Sequence, residues 1–284
     1  MQVWDAFVDG TVDTLKLIPF LFVTYLLMEL IEHRTSDQTR TLIRKAGKFG
    51  PIIGGGLGAF PQCGFSAAAA SLFAGRVITA GTLIAVFLST SDEMLPIFLS
   101  SGAPISLIAK VLLIKVIYGA VYGFAVDFLF RRLNERKIGV GIHGICTKEH
   151  CHCEESILKS ALKHTFSILL VIFLISLGLN LLLMTAEPES FRNQVLNQPV
   201  IGQLLAALIG LIPNCAASVV LTELYLEKVL SGGAMMAGLL VSAGVGILVL
   251  VRTNRKRKEN AVIIAILYLG GVLGGLITQL LGLL

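Results

Sequence analysis

Two cysteines occupy matching Pro-x-Cys triplets, and their thiol groups are the first candidates for binding chemistry. Cys63 and Cys215 each follow a proline by two positions. Deprotonated thiols are soft ligands, suited to thiophilic metals and trivalent arsenic rather than to hard cations. The alternative is that both cysteines pack as small apolar side chains, as free cysteine often does, while nearby backbone groups do the binding. The candidate substrate-binding residues are Pro61, Gln62, Cys63, Ser66, Pro213, Asn214, Cys215 and Ser218.

An acidic pair, Asp92 and Glu93, lies near the middle of an apolar segment. An acid at the centre of a membrane costs about 2.5–3.5 kcal/mol on insertion scales, so it usually faces a cavity or a charged partner. Consecutive helical residues point about 100° apart, and we expect Asp92 to be the one that faces the cavity, as a proton or cation ligand. Lys115 lies at similar depth in the next segment and is its expected partner. These three are the candidate ion-coupling residues, and a purely structural Asp92–Lys115 ion pair is the alternative.

A third cluster of ligand-forming side chains lies in one polar loop. Between positions 143 and 153, six of eleven residues are His or Cys. Short tracts of this composition are typical of metal binding, and three or four such ligands complete a zinc-type site. The spacing is too compact for a zinc finger. The predicted metal ligands are His143, Cys146, His150, Cys151, His152 and Cys153 in the loop, and Cys63, Cys215 and Asp92 in the membrane.

The composition indicates that lipid is the solvent of this chain. Of its 284 residues, 55% are hydrophobic and 14% are charged, and the mean hydropathy is +0.83, whereas soluble domains carry about 25% charged residues. The net charge of +5 is concentrated in a few loops, which argues against a nucleic-acid-binding face. Three aspartates precede the first apolar run, so we expect no cleaved signal peptide. Without a Walker A motif or a nucleophile–base pair in the spans, we expect neither an ATPase nor an enzyme, and no cofactor.

Eight hydrophobic segments are near the length of about 20 residues that crosses a bilayer. They cover residues 14–33, 51–75, 79–100, 104–130, 161–184, 200–227, 231–251 and 261–283. Segments 51–75 and 200–227 carry the Pro-x-Cys triplets in their middle. Proline inside a helix removes a hydrogen bond and clashes with the preceding turn, and in lipid the freed backbone groups must find partners in protein or water. Both segments are therefore predicted to be re-entrant hairpins or unwound helices that line a cavity.

The two interrupted segments belong to an internal repeat. A shift of 152 residues, without gaps, aligns glycines, prolines and cysteines over about 70 residues, which is hard to obtain by chance in an apolar chain. The aligned pairs include Gly58 and Gly210, Pro61 and Pro213, Cys63 and Cys215, Ser66 and Ser218, Gly81 and Gly233, and Gly119 and Gly271. The predicted organisation is a first repeat over 1–137, a Cys/His-rich loop over 138–160 and a second repeat over 161–284.

Loop charges predict the orientation of the repeats. Loops 34–50, 131–137 and 252–258 are rich in Lys and Arg, whereas loop 185–199 is slightly acidic, so the first three are expected in the cytoplasm and the last outside. Six spans plus two hairpins satisfy this pattern, and an odd number of spans in each repeat inverts the second. We therefore predict an all-α polytopic protein of the inner (plasma) membrane with two inverted repeats, each of three spans and one re-entrant hairpin. Both termini lie outside and the Cys/His loop is cytoplasmic. Eight ordinary spans with one charge exception is the alternative.

Two stretches resemble a known family. Residues 58–70 read GAFPQCGFSAAAA and residues 88–96 read LSTSDEMLP. Both are similar to segments of the heavy-metal and arsenic efflux permeases, a group also labelled manganese transporters. The resemblance implies ten membrane helices, which fits six spans plus two hairpins counted as two helices each. It also implies export as the direction of transport.

Three functions stay open at this point. The first is proton-coupled export of a thiophilic metal or metalloid, including an uncharged organic arsenical, through a midplane site at the two hairpin tips. The second is export of a hard divalent cation such as Mn²⁺, with Asp92 and hairpin carbonyls as ligands. The third is a membrane sensor or scaffold whose Cys/His loop reports metal to a partner. The expected partners are the lipid bilayer, the metal or metalloid substrate and a proton as coupling ion, and a homodimer stays open.

Overall fold

The computed structural model describes residues 49–60, 63–91, 94–133, 200–213 and 216–284, together with positions 22, 23, 26, 47 and 166. Every regular element within these ranges is an α-helix. The predicted spans 14–33 and 161–184, apart from those isolated positions, and the Cys/His-rich loop lie outside the described residues.

Ten helices are described, five in each half of the chain. In the first half they are α1 Gly50–Gly58, α2 Cys63–Ala74, α3 Ala80–Ser89, α4 Met94–Ser100 and α5 Ile105–Leu133; in the second half they are α6 Ile201–Gly210, α7 Ala216–Leu226, α8 Gly232–Val241, α9 Gly246–Thr253 and α10 Arg257–Leu280. Four stretches of these ranges are long and apolar enough to cross a membrane: Ala80–Ser100, Ile105–Phe130, Gly232–Thr253 and Arg257–Leu280.

The helices of the two halves begin in the same register. The first residues of α3, α4 and α5 each lie 152 positions before the first residues of α8, α9 and α10. The caps correspond as well: Thr79 accepts a hydrogen bond from Thr82 N at the start of α3, and Ser231 accepts one from Ala234 N at the start of α8. Such hydroxyl caps satisfy backbone N–H groups that have no partner in the first turn.

Both segments with a Pro-x-Cys triplet are interrupted where the sequence predicts. In segment 51–75, α1 ends at Gly58 and α2 begins at Cys63. In segment 200–227, α6 ends at Gly210 and α7 begins at Ala216. Each helix therefore ends three residues before the proline, which agrees with the expectation that proline ends the helix at these points.

Segments 79–100 and 231–251, which are predicted as spans, are long and apolar enough to cross a membrane, but each of them is interrupted near its middle. The first is divided between α3 and α4, and the second between α8 and α9. Thr90 Oγ1 donates to Val86 O at 2.7 Å and Thr90 leaves the helical conformation with ψ 125°. Pro96 has no N–H, which is tolerated only because it lies in the first turn of α4. At the second interruption Gly244 has φ +52°, a left-handed conformation that glycine adopts without steric cost.

The centre of the molecule is formed by α3 and α8. Every residue from Gly81 to Ser89 and from Gly233 to Val241 is buried. Helix α3 packs against α1 and α5, and α8 packs in the corresponding way against α6 and α10. Helices α5 and α10 expose large apolar side chains to the surroundings, including Leu113, Ile117, Val121, Leu269, Leu273 and Ile277. This arrangement suits helices that face lipid on one side and a packed core on the other.

Glycine contacts bring the helices of each half close together, as the glycine-rich pattern predicts. A Cβ at Gly81 would overlap the Gly123 carbonyl oxygen, and a Cβ at Gly275 would lie 2.5 Å from Gly233 O. The same contact includes Asp127, which has 8% of its surface exposed. Its carboxylate accepts from Gly81 N at 2.8 Å and from Thr79 Oγ1 at 2.7 Å. Asp127 therefore caps the start of α3 and does not extend its side chain to the membrane surface.

The basic loop predicted over 252–258 is shorter in the structure. Arg252 belongs to the last turn of α9, and α10 begins at Arg257. Only residues 254–256 separate the two helices. The last span therefore begins four residues before the predicted start at 261.

Candidate functional site

The predicted site residues divide into those that the structure describes and those that it does not. Lys115, Ser66, Pro213 and Ser218 are described with their side chains, and Cys63 is the first residue of α2. The other predicted residues lie outside the described part of the chain: Pro61, Gln62, Asp92, Glu93, Asn214, Cys215, His143, Cys146, His150, Cys151, His152 and Cys153. The geometry that follows is that of the helix ends on either side of them.

The start of α2 meets the second half of the chain. Ser66 is fully buried, and a Cβ at Gly246 would lie 2.9 Å from Ser66 Oγ and 2.9 Å from Phe87 Cε1. The first turn of α9 therefore contacts both α2 and α3. The corresponding pair, α7 and α4, is also in contact. Each helix that follows a Pro-x-Cys triplet thus packs against the interrupted span of the other half, which the repeat pattern alone does not predict.

The end of α1 meets the first interruption. Ser91 Oγ donates a hydrogen bond to Ala59 O at 2.6 Å, and Gly58 lies against Ser89 so closely that a Cβ there would overlap Ser89 Oγ. Ala59, before the first Pro-x-Cys triplet, therefore contacts the first interrupted span, and Ser66, after the triplet, contacts the second.

Lys115 joins the two interruptions. Its side chain is 1% exposed, and its Nζ donates to Thr90 O and, at 2.8 Å, to Leu239 O. Thr90 is the residue that follows α3, and Leu239 lies in the last turn of α8. Thr90 precedes Asp92 by two residues, so this contact is consistent with the expectation that Lys115 lies at the depth of the acidic pair.

The polar groups of the second interruption differ from those of the first. Thr90 satisfies its hydroxyl within its own helix. The corresponding residue, Ser242, is 1% exposed, and its Oγ has no hydrogen-bond partner in the described part of the chain. A buried hydroxyl without a partner costs about 1–3 kcal/mol. This hydroxyl can bind a substrate, an ion or a water molecule at the second interruption.

An apolar cavity of about 330 Å³ lies beside the first interrupted segment. Its walls come from α1, α2, α3 and the chain before α1 and α3. The lining side chains are Ile53, Leu57, Phe65, Ala68, Ala69, Leu72, Val77, Ile78, Thr79, Thr82 and Val86, with Gly47, Gly50 and Gly54. Among the described residues that line it, the polar side chains are the two threonines at the start of α3, Thr79 and Thr82. Such a lining favours poorly hydrated or uncharged molecules over a hydrated divalent cation.

No group of three His, Cys, Asp or Glu side chains lies close enough to hold a metal ion among the residues that the structure describes. The oxygen atoms that do converge are the Thr90 and Leu239 carbonyls, both bonded to Lys115. A metal site in the described ranges would therefore need ligands from the neighbouring triplets or from the acidic pair.

Two tyrosines of α5 hold the two halves together, and the sequence reasoning did not identify them. Tyr118 Oη donates to Gly270 O at 2.6 Å, and Tyr122 Oη donates to Ile266 O at 3.0 Å. The rings of the two tyrosines stack with centroids 5.7 Å apart. Gly270 and Gly274 have no side chains, and this lets the rings approach the backbone of α10. The available signal was the alignment of Tyr118 with Gly270 in the repeat.

An ion pair fastens the end of α2 to the start of α10. Arg76 bonds Glu259 through both guanidinium nitrogens, at 2.7 and 2.6 Å. Asn254 donates to the same carboxylate at 3.1 Å and exchanges hydrogen bonds with Asn260. Arg76 has φ +60°, and Val77 N bonds Leu72 O, a helix ending in which one residue is left-handed. This turn directs Arg76 towards the second half.

The corresponding position of the second half has no such ion pair. Lys228 has φ +61° and ends α7 in the same way. It forms no salt bridge within the described ranges, and its counterparts to Asn254 and Glu259 are Gly102 and Leu107. Within the described ranges, the helix after the first Pro-x-Cys triplet is therefore joined to the other half by an ion pair, and the helix after the second triplet is not.

Glu259→Gln is expected to lower the free energy of unfolding by about 1–3 kcal/mol, because it removes charge-assisted hydrogen bonds. The pair is about a quarter exposed, so solvent screening places the loss towards the lower end. Thermal unfolding in detergent measures it, with Lys228→Gln as the matched control that should leave the midpoint unchanged. If Arg76 and Glu259 stabilise the protein as a pair, the Arg76→Gln/Glu259→Gln double variant loses no more free energy of unfolding than either single variant. Fully additive losses would contradict the coupling.

These features define a polytopic membrane protein whose halves meet at two interrupted helices. The comparison with protein families matches residues 3–185 to the family described as "Putative, 10TM heavy-metal exporter". The match covers more than half of the chain, and the chain belongs to this family. The suspected family is thereby confirmed. No protein with a curated description and no solved structure matches the chain.

Proposed function

We propose that the protein is a secondary active exporter of a thiophilic heavy metal or a metalloid, and that the substrate binds between the two interrupted helices. The observation that carries the proposal is the convergence of both interruptions on Lys115 and on the helix ends that flank the first Pro-x-Cys triplet. Interrupted helices at a repeat interface are where transporters of this kind bind their substrates. Membership in a heavy-metal exporter family supports the substrate class. In this proposal Cys63 and Cys215 supply the soft ligands.

The proposed architecture consists of two inverted repeats, 1–137 and 161–284, joined by the loop 138–160. The common register of helix starts, the corresponding caps and the matching helix contacts support the duplication. Two observations support a first hairpin that leaves the membrane on the side where it enters. Gly50 lies close to Thr82, and residues near 47–50 and 77–79 line the same cavity. In this proposal both termini lie outside, the Cys/His loop is cytoplasmic and the chain belongs to the inner (plasma) membrane, as the loop charges predict.

The apolar cavity favours a substrate that enters with little hydration. A neutral trivalent arsenical, or a metal stripped of water by thiolates, fits this lining better than a hydrated divalent ion. The second candidate, export of Mn²⁺, would need hard oxygen ligands other than the Thr90 and Leu239 carbonyls, which bond Lys115. In that case Asp92 supplies the charge. Under either candidate, Asp92, Glu93 and Lys115 are the proposed ion-coupling residues, with a proton as the coupling ion.

Uptake into inverted vesicles that contain the purified protein tests the proposal. Arsenite, methylarsenite, Zn²⁺ and Mn²⁺ are offered separately, with protein-free vesicles as the control. We expect accumulation of an arsenical or of Zn²⁺, driven by an imposed pH gradient. Accumulation of Mn²⁺ alone would favour the second candidate. If none of the four accumulates, the proposed substrate class is wrong.

A further inference from the structure

Lys115 occupies a position where a free cation would otherwise be expected. Its ammonium group is almost fully buried and bonds carbonyl oxygens at the ends of two different helices, Thr90 O after α3 and Leu239 O in the last turn of α8. The last carbonyls of a helix have no backbone N–H partner within that helix. Two sets of such carbonyls therefore meet at one ammonium group.

Both helix ends attract the ammonium group, because a helix C-terminus carries the equivalent of roughly −0.5 elementary charge. A buried ammonium is costly unless such groups surround it. Because α3 and α8 both end here, the protein builds a cation site between its halves, and Lys115 fills it from α5.

Only one half of the chain provides this cation. The residue that corresponds to Lys115 in the second half is Leu267, which is fully buried and apolar. One lysine therefore serves both interruptions. In transporters with broken helices, the C-terminal ends of half-helices and the unwound carbonyls commonly coordinate Na⁺ or receive H⁺.

We propose that the Lys115 ammonium is a built-in replacement for a monovalent metal ion, so that this protein needs no Na⁺ or K⁺ at the junction of its interrupted helices. The inference rests on the proposed transport function for its physiological meaning. The site itself is defined by the helix ends and can be tested without transport. Lys115 is a positioning residue here, because it fixes the two helix ends relative to each other.

Thermal unfolding of the purified full chain in detergent tests this assignment. The wild type and Lys115→Ala are compared in choline chloride, NaCl, KCl and ammonium chloride at equal ionic strength. Choline is too large to enter the site. The wild-type midpoint is expected to be the same in all four salts. The midpoint of Lys115→Ala is expected to fall by roughly 5–10 °C in choline chloride and to be restored, with saturation, by at least one of the small cations.

Matched variants separate a cation site from a structural strut. Lys115→Met fills the volume without charge, so no cation should restore its midpoint, and Lys110→Ala, on the exposed side of the same helix, should behave as the wild type. If Lys115→Ala cannot be purified, Lys115→Ser, which also leaves the space of the ammonium group empty, is measured in the same four salts. Failure of every small cation to restore the variant that is measured would overturn the assignment, and so would a saturable rise of the wild-type midpoint with Na⁺ or K⁺. Cation rescue without any metal uptake by wild-type vesicles would instead reject the transport proposal and leave this site intact.

Discussion

Replacement of both Cys63 and Cys215 by serine is expected to reduce arsenical or Zn²⁺ uptake into inverted vesicles by about 100-fold or more. The estimate follows from metal sites, in which even the loss of an outer-shell partner costs 10–100-fold. Serine keeps the size and a hydrogen-bonding group but removes the soft sulfur. Each single variant is expected to lose most of the activity if the two thiols bind one substrate from opposite halves. Initial uptake rates at a fixed pH gradient measure the effect.

The matched control adds a hydroxyl to the same helix as Cys63 at its opposite end. Ala74→Ser lies in the last turn of α2 and should transport at the wild-type rate. Size-exclusion chromatography establishes that the double variant is folded. Unchanged arsenical uptake by a folded double variant would mean that the cysteines pack as apolar side chains, and the backbone at the interruptions would then be the binding group. Undiminished Mn²⁺ uptake would point to Asp92.

Gly81→Leu is expected to abolish the folded protein. A Cβ at Gly81 would overlap Gly123 O and lie 2.5 Å from Asp127 Cγ, and real Cβ atoms do not come so close to other heavy atoms. Overpacking a core typically costs about 1–3 kcal/mol when side chains can shift. Here the obstacle is a backbone carbonyl, and the Asp127 carboxylate that caps α3 would be displaced as well. The yield of monodisperse protein after size-exclusion chromatography measures the effect.

The same substitution at an open position is the control. Gly56 is exposed on α1, and a Cβ there meets no atom within 4 Å. Gly56→Leu should therefore give wild-type yield and unfolding temperature. Gly233→Leu, the counterpart in the second half, should be less severe than Gly81→Leu, because the nearest atom to a Cβ there, Gln279 Cβ, is 2.6 Å away, whereas Gly123 O lies closer than this to a Cβ at Gly81. Equal yields for Gly81→Leu and Gly56→Leu would show that α3 and α5 do not pack as described.

The sequence was informative about the interruptions at the Pro-x-Cys triplets but not about those at Thr90 and Ser242. Proline is a local signal, because it removes a hydrogen bond whatever surrounds it. Pro96 was such a signal within segment 79–100. At Ser242 no local residue forces the helix to end. Serine and glycine are tolerated in helices, so surrounding contacts decide whether the helix continues.

The partners of the charged residues were harder to predict than their burial. Charge at membrane depth predicts that Lys115 is paired, since an isolated ammonium is costly in lipid. It does not identify Leu239 O, which lies 124 positions away in the other half. Arg76 and Glu259 are separated by 183 positions, and neither one belongs to a motif. The Cys/His-rich loop and the acidic pair lie outside the described residues, and their metal-binding roles stay predictions.

The sequence by itself determined three properties: that the chain is a membrane protein, at which positions two of its apolar segments are interrupted, and which glycines permit close helix packing. These properties depend on composition, on proline and on side-chain size, all of which act locally. Only the tertiary structure decided that α2 packs against α9 of the other half, that one lysine serves both interruptions, and that Arg76 pairs with Glu259 of the other half. Those contacts join residues far apart in the chain, and many pairings would bury the same apolar surface equally well. The shape of the packed helices selects among them, and this information is absent from any local pattern.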